Sequence, residues 1–150
     1  MADHRALLIV NAAAAVIDTG STAYVYVHRT LSLAQAELPA ISVRIGEDRP
    51  LEDDGQSSMS FIDSRLTLNV QLLATGATEA AVISALMGLR TDVHKALQAD
   101  VALGKTYIID TRYGGASAPD LNVDTKRVSG EMVAQWHVVY RCSVTDPTGD

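Results

Sequence analysis

Apolar side chains near the start of the chain recur at the spacing of one helical face. They stand at positions i, i+1, i+4, i+7 and i+8 of a repeating pattern: Ile9, Val10, Ala13, Val16 and Ile17. This pattern predicts an amphipathic helix. Asp3 is suited to cap its N-terminus and Gly20 to end it. Asp3 and Asn11 also argue against interpreting this stretch as a signal peptide.

Strand-like patterns follow the predicted helix. Residues 23–29, AYVYVHR, are rich in side chains that favour strands. Residues 40–46, AISVRIG, alternate strictly between apolar and polar positions. The clearest alternation is in residues 65–73, RLTLNVQLL, where every second side chain is apolar: Leu66, Leu68, Val70 and Leu72. We expect that strand to place one face in the core and the other in water or against a polar partner.

A second helix is indicated after residue 77. Thr78 can cap its N-terminus, and Glu79 supplies an acidic group in the first turn. We expect this helix to end near Asp100. Its apolar positions form one stripe: Val82, Leu86, Leu89, Val93, Ala96 and Leu97.

Two more strands complete the predicted order. Residues 106–113 and the unusually long segment 131–144 are rich in residues that favour strands. The order αβββαββ predicts a single α+β domain over residues 1–150, with a mostly antiparallel sheet and two helices packed on one face. We expect a mobile acidic loop at 46–60 and a long loop at 114–130.

Composition narrows the classes of function. The 150 residues carry 18 acidic and 12 basic groups, for a net charge of −6. That balance argues against a dedicated DNA-binding domain, because phosphate neutralisation needs clustered Lys and Arg. No apolar run approaches the roughly 20 residues that span a bilayer. Cys142, the single cysteine, cannot form a disulfide within the chain.

The triplet Gly104-Lys105-Thr106 matches the end of the phosphate-binding loop G-x-x-x-x-G-K-[ST]. However, Ala99 stands where that motif has its first glycine. The predicted elements are also in the wrong order, because a phosphate loop is followed by a helix N-terminus and here a strand follows. We therefore interpret Gly104 as a turn residue and Lys105-Thr106 as the start of a strand.

Other candidate chemistry is weak. The four histidines lack a spacing typical of metal ligands: His4, His28, His94 and His137. Cys142 alternates onto an apolar strand face, as a buried small hydrophobic residue does. A calcium loop starting at Asp48 or Asp53 would need Glu at its twelfth position, where Met59 or Ser64 stands. We expect no catalytic residue, no cofactor and no metal, and hence a protein that is not an enzyme.

Three stretches resemble the tail terminator and tail-completion proteins of long-tailed bacteriophages. The first is residues 25–48, VYVHRTLSLAQAELPAISVRIGED, with its Leu-Pro and acidic end. The second is residues 89–105, LRTDVHKALQADVALGK, and the third is residues 134–147, AQWHVVYRCSVTDP. Lys105 departs from the family's pattern, since such proteins often carry Leu-Gly-Gly at that turn. The resemblance is one of pattern and order, and it includes no catalytic signature.

The resemblance implies a virion protein assembled in the host cytoplasm. Such proteins form a ring, usually of six copies, that caps the tail tube and presents a surface to the head-side connector. DNA passes through the ring without specific binding, and no membrane is involved. The partners it implies are therefore further copies of the chain, the tail tube protein and the connector or neck protein.

An acidic cluster would gain a role in such a ring. Five carboxylates lie within eight residues, offset by Arg49: Glu47, Asp48, Glu52, Asp53 and Asp54. Facing the lumen, they would repel phosphates and keep the duplex from binding. Facing the next ring, they would form a docking segment that orders on contact. We favour these two interpretations over a purely solvated loop.

Two alternatives stay open. The chain is compatible with a head-completion, or neck, ring on the connector side, which sequence separates poorly from a tail terminator. The same order of elements also fits a small ligand-binding or enzymatic α+β domain whose site is assembled from scattered loop residues.

Overall fold

In the computed structural model, which describes residues 2–30, 37–51, 60–124 and 126–148, two helices and six strands form one sheet covered by a helical layer. The elements in chain order are α1 (Arg5–Gly20), β1 (Tyr24–Val27), β2 (Ala40–Pro50), β3 (Phe61–Gly76), α2 (Glu79–Ala99), β4 (Ile108–Ala116), β5 (Asp120–Val123) and β6 (Val128–Ser143). The predicted α+β class is confirmed.

Strands β3 and β6 form the backbone of the sheet. They pair antiparallel over sixteen residues each, from Phe61 opposite Ser143 to Gly76 opposite Val128. Strand β2 pairs antiparallel with the other edge of β3, and β1 lies parallel to β2. Strands β4 and β5 follow one another along the free edge of β6. The sheet is therefore mostly antiparallel, as predicted.

Both helices pack on one face of this sheet. The alternating positions of β3 that the sequence assigned to the core are fully buried, and they join the buried stripe of α2 in one apolar cluster. Trp136 of β6 is also fully buried in this cluster. Each Å² of apolar surface that this interface removes from water stabilises the fold by about 25 cal/mol.

The sequence predicts the N-terminal cap of α2 correctly and that of α1 incorrectly. The Thr78 hydroxyl accepts a hydrogen bond from the Ala81 amide at 3.1 Å, which confirms the predicted cap of α2. The prediction of Asp3 as the cap of α1 is wrong. The imidazole Nδ1 of His4 accepts from the Ala6 amide at 3.0 Å instead, because a neutral ring nitrogen satisfies an orphan N–H as a carboxylate oxygen would.

The predicted long loop at 114–130 is wrong. β4 continues to Ala116, and the additional strand β5 occupies residues 120–123 before β6 begins at Val128. The physical reason is the length of β6, whose edge extends beyond the end of β4 and offers further backbone groups for pairing. Residues 117–119, which include Pro119, separate the two short strands.

The predicted mobile loop at 46–60 is also wrong over its first part. Residues 46–50 belong to β2, and Arg49 and Pro50 pair with Arg65 and Ser64. The register shifts between Ile45 and Asp48, so a bulge admits the extra residue without ending the strand. Residues 52–59 lie outside the described part of the chain.

Candidate interaction surface

The face of the sheet opposite the helices, here called the outer face, has no helix packed on it among the described residues. Alternate residues of β3 and β6 point there because successive side chains of a strand point to opposite faces. The central part of this face is polar. Its side chains form what we call the polar row: Thr67, Asn69 and Gln71 on β3, with Glu131, Gln135 and His137 on β6.

Cross-strand hydrogen bonds tie the polar row together. The amide nitrogen of Gln135 donates to Asn69 Oδ1 at 3.0 Å, and the two residues lie directly opposite each other. The Gln71 amide donates to Glu131 Oε2 at 2.9 Å. Thr67 Oγ1 and His137 Nδ1 lie 3.2 Å apart. The side chains are therefore held in place before any partner arrives, which lowers the entropy lost on binding.

His137 is a partly buried titratable group of the polar row. Burial lowers its pKa, and the nearby charge of Arg65 lowers it further, so the imidazole is neutral at pH 7. Strand β4 passes against the ring through Gly114, where an added Cβ would lie 2.5 Å from His137 Nε2. A glycine at 114 thus lets the strand approach the imidazole closely.

An ion pair closes one end of the outer face. The Arg141 guanidinium donates from Nε and Nη2 to the two carboxylate oxygens of Asp63, at 2.7 and 2.9 Å. Asp63 is buried, with 7 % of its surface exposed. Hydrogen bonding from Arg141 and the charge of its guanidinium hold the pKa of the Asp63 carboxyl below its usual value, although burial acts in the opposite direction.

This ion pair predicts a pH dependence of stability. Because the pKa of Asp63 is lower in the folded chain, its contribution is complete above the usual value of 3.8 and is lost as the pH falls through the lower folded value. Replacing Asp63→Asn should lower the melting temperature at pH 7 by several degrees, and the gap from the wild type should narrow as the pH falls below 3.8. Thermal unfolding between pH 7 and pH 2 measures this. Asp18→Asn, at an exposed position of α1, controls for the loss of one negative charge, and a gap that is as wide at pH 2 as at pH 7 would contradict the assignment.

The structure does not bring the described acidic residues together on one surface. Asp48 pairs with Leu66, so it points to the helical side, where its Oδ2 accepts from the Tyr140 hydroxyl at 2.6 Å. Burial and this hydrogen bond raise the pKa of Tyr140 above its usual range. Glu47 forms an ion pair with Arg49 at 2.5 Å. Glu52, Asp53 and Asp54 lie outside the described residues.

A second basic side chain, Arg65 of β3, joins Arg49 at this end of the sheet, and sequence reasoning missed it. Arg49 and Arg65 are direct cross-strand neighbours, and like charges in that position repel. The alternation of each strand predicts which residues share a face. The register that sets Arg49 against Arg65 depends on the bulge near Gly46, and no short-range signal in the sequence locates it.

The turn after α2 explains the Gly-Lys-Thr triplet. Leu103 and Gly104 have φ values of 51° and 73°, and the Asp100 carboxylate accepts from the Gly104 amide at 2.9 Å. Strand β4 then begins at Ile108 rather than at Lys105. A helix precedes the triplet and a strand follows it, as predicted, so no helix N-terminus is positioned to bind a phosphate there.

Within the described ranges, no three His, Cys, Asp or Glu side chains come together in a way that could hold a metal ion. That same part of the chain contains no helix of the length and apolar character required to cross a membrane. No protein-family model matches the chain, and a search of curated proteins finds no significant match.

Proposed function

We propose that the chain is a structural protein of a bacteriophage virion, which forms a ring that caps the tail tube and joins it to the head connector. The proposal is supported by the three stretches that resemble tail terminator and tail-completion proteins. The observation that carries it is the outer face: a broad sheet surface without a helix over it, whose polar side chains are already paired with one another.

The outer face has the properties of a subunit contact. A closed ring is built from head-to-tail contacts, so each copy needs two different surfaces that fit each other. The fully paired β3–β6 ladder gives one of them a rigid base. Each pair in the polar row already makes one hydrogen bond within the row, so a neighbour that covers it needs to satisfy only the remaining donors and acceptors, among them the Glu131 carboxylate.

The proposed ring lies between the tail tube and the head of the virion. The ring contains six copies and binds the tail tube protein on one side and the connector or neck protein on the other. DNA crosses it without specific binding, consistent with the net charge of −6. The protein is assembled in the host cytoplasm and ends in the virion. A neck ring on the connector side is the alternative within the same class.

The acidic segment gives a testable detail of this proposal. Asp48 is left unchanged because it binds Tyr140, and Glu52, Asp53 and Asp54 are replaced together by lysine. If the segment guards the channel, tails should assemble while DNA ejection slows, because basic side chains bind phosphates. If it docks a neighbouring ring, free heads and tails should accumulate. Ejection kinetics and particle counts by electron microscopy measure the two outcomes.

The control makes the same change of charge elsewhere. Asp3, Asp18 and Glu37 are all exposed, and their replacement by lysine adds six units of positive charge in the same way. We expect that triple variant to keep normal assembly and ejection. Normal infectivity of the 52–54 variant would remove both roles and leave the segment as solvated chain.

A ligand-binding domain is the alternative of another class, and one cavity favours it. A groove of about 450 Å³ is lined by Arg5, Phe61, Thr106, Tyr107, Ile109 and Arg141. Its volume lies in the range of small-molecule sites. Light scattering coupled to size exclusion separates the two classes. We expect a ring, whereas a monomer whose melting temperature rises with a small anionic ligand would favour the groove.

A further inference from the structure

His137 lies in the middle of the outer face, between two neighbouring strands. It pairs with Thr67 of β3 on one side and with Arg112 of β4 on the other. Its Nδ1 is 3.2 Å from Thr67 Oγ1. Its Nε2 is so close to β4 that a Cβ added to Gly114 would lie 2.5 Å from it. Each nitrogen of the imidazole is therefore held close to a neighbouring strand.

The charged side chains next to His137 are mainly basic. Arg65 stands two residues before Thr67 on β3 and so shares its face, and its charge acts on the imidazole. Arg112 is the direct neighbour on β4, and its guanidinium forms an ion pair with Asp110. Among the described residues, no carboxylate forms an ion pair with Arg65. A proton on His137 would therefore place a third positive charge between two arginines.

The other groups around His137 do not offset that charge. Its outward neighbours on β6 itself are neutral, Gln135 and Val139. The charged groups farther along β6 and on β2 already have partners: Glu131 with Gln71, Arg141 with Asp63, and Glu47 with Arg49. Whether this face can be covered by a neighbour thus depends on the charge of one imidazole.

We propose that protonation of His137 opens the contact that the outer face makes in the ring, so that rings form at neutral pH and dissociate in mild acid. The inference rests on the proposed ring and adds a condition for its assembly. A neighbour can cover the neutral imidazole, whose Nδ1 already has Thr67 as a partner. An imidazolium covered in the same way would be a desolvated charge beside Arg65 and Arg112, which should weaken each contact at least ~10-fold.

The direction of the pH dependence follows from the form of His137 that the ring favours. Because the closed contact favours the neutral imidazole, the pKa of His137 is lower in the ring than in the free subunit. In the free subunit, burial and the charge of Arg65 already hold this pKa below its usual value of 6.5. Assembly is therefore complete well above pH 6.5 and is lost as the pH falls below it.

The test follows the mass of the assembled protein by light scattering between about pH 8 and pH 5.5. The wild-type mass should fall about sixfold, from ring to subunit, as the pH drops. His137→Gln removes the titrating group and should keep the ring mass over the whole range. His137→Lys carries a permanent charge and should give subunits at every pH, and circular dichroism should show both variants folded.

His94→Gln is the matched control, because His94 is exposed on α2, on the other side of the sheet. It should dissociate at the same pH as the wild type. Wild-type rings that keep their mass down to pH 5.5, or His137→Gln rings that dissociate together with the wild type, would overturn the inference and leave the proposed ring intact. A chain that is monomeric at pH 8 would instead contradict the ring, and this inference with it.

Discussion

Replacing Leu68 with aspartate should lower the free energy of unfolding by about 4 kcal/mol or more, the largest effect on stability that we predict. Leu68 is fully buried at the centre of β3, in the same apolar cluster as Leu86 and Val93 of α2. A carboxylate there would lose its hydration, and among the described residues that form this cluster none is a Lys or Arg. Since domains of this size are stable by about 5–15 kcal/mol, much of the stability would be lost.

The neighbouring position supplies the control. Asn69 points to the outer face, where its Oδ1 accepts from Gln135, and an aspartate keeps that acceptor. Asn69→Asp should therefore change the free energy of unfolding by less than about 1 kcal/mol. Urea denaturation followed by circular dichroism compares the two variants. A Leu68→Asp protein as stable as the Asn69→Asp protein would show that this side of β3 is not in the core.

Placing an arginine at position 135 should abolish ring assembly while leaving the subunit folded. Gln135 is exposed at the centre of the outer face. If a neighbour covers this face, the added charge is buried without a partner, which costs about 2 kcal/mol or more and weakens each contact at least ~30-fold. Because a closed ring needs every contact, assembly should fail at micromolar concentrations.

Two controls are needed to interpret a loss of assembly in the Gln135→Arg protein. Circular dichroism should show the Gln135→Arg subunit folded, with a melting temperature close to that of the wild type. Thr19→Arg places the same side chain at an exposed position of α1 and should assemble normally. Rings of normal size from Gln135→Arg would mean that the outer face faces water, and would remove the observation that carries the proposed function.

The sequence predicts the layers of this fold well because they depend on short-range periodicity. The alternation from Leu66 to Leu72 identifies the buried side of β3, and Thr78 with Glu79 identifies the start of α2. Both signals lie within a few residues of the feature that they predict. The turn at Gly104 is predictable for the same reason, since glycine readily adopts a positive φ.

The features that the sequence did not reveal depend on contacts between distant residues. Strand β5 forms because β6 extends past β4, and residues 46–50 join β2 because β3 begins at Phe61. Residues 46–50 have no alternating pattern of their own, and the alternation of β5 covers only four residues, too few to distinguish a strand from a loop. The candidate surface also has one feature that the sequence predicts and one that it does not. Alternation predicts that Asn69 is polar and points outward, whereas its hydrogen bond to Gln135 depends on a register set across 66 residues of chain.

Incubation of the purified protein with purified tail tubes, and separately with portal-bearing heads, tests the central claim most directly. Negative-stain images of the mixtures should show a ring at one end of the tubes, and co-sedimentation should give about six copies per tube, the stoichiometry that the resemblance implies. Binding to heads alone would assign the ring to the connector side. A protein that binds neither particle and remains monomeric at the same concentration would contradict the account.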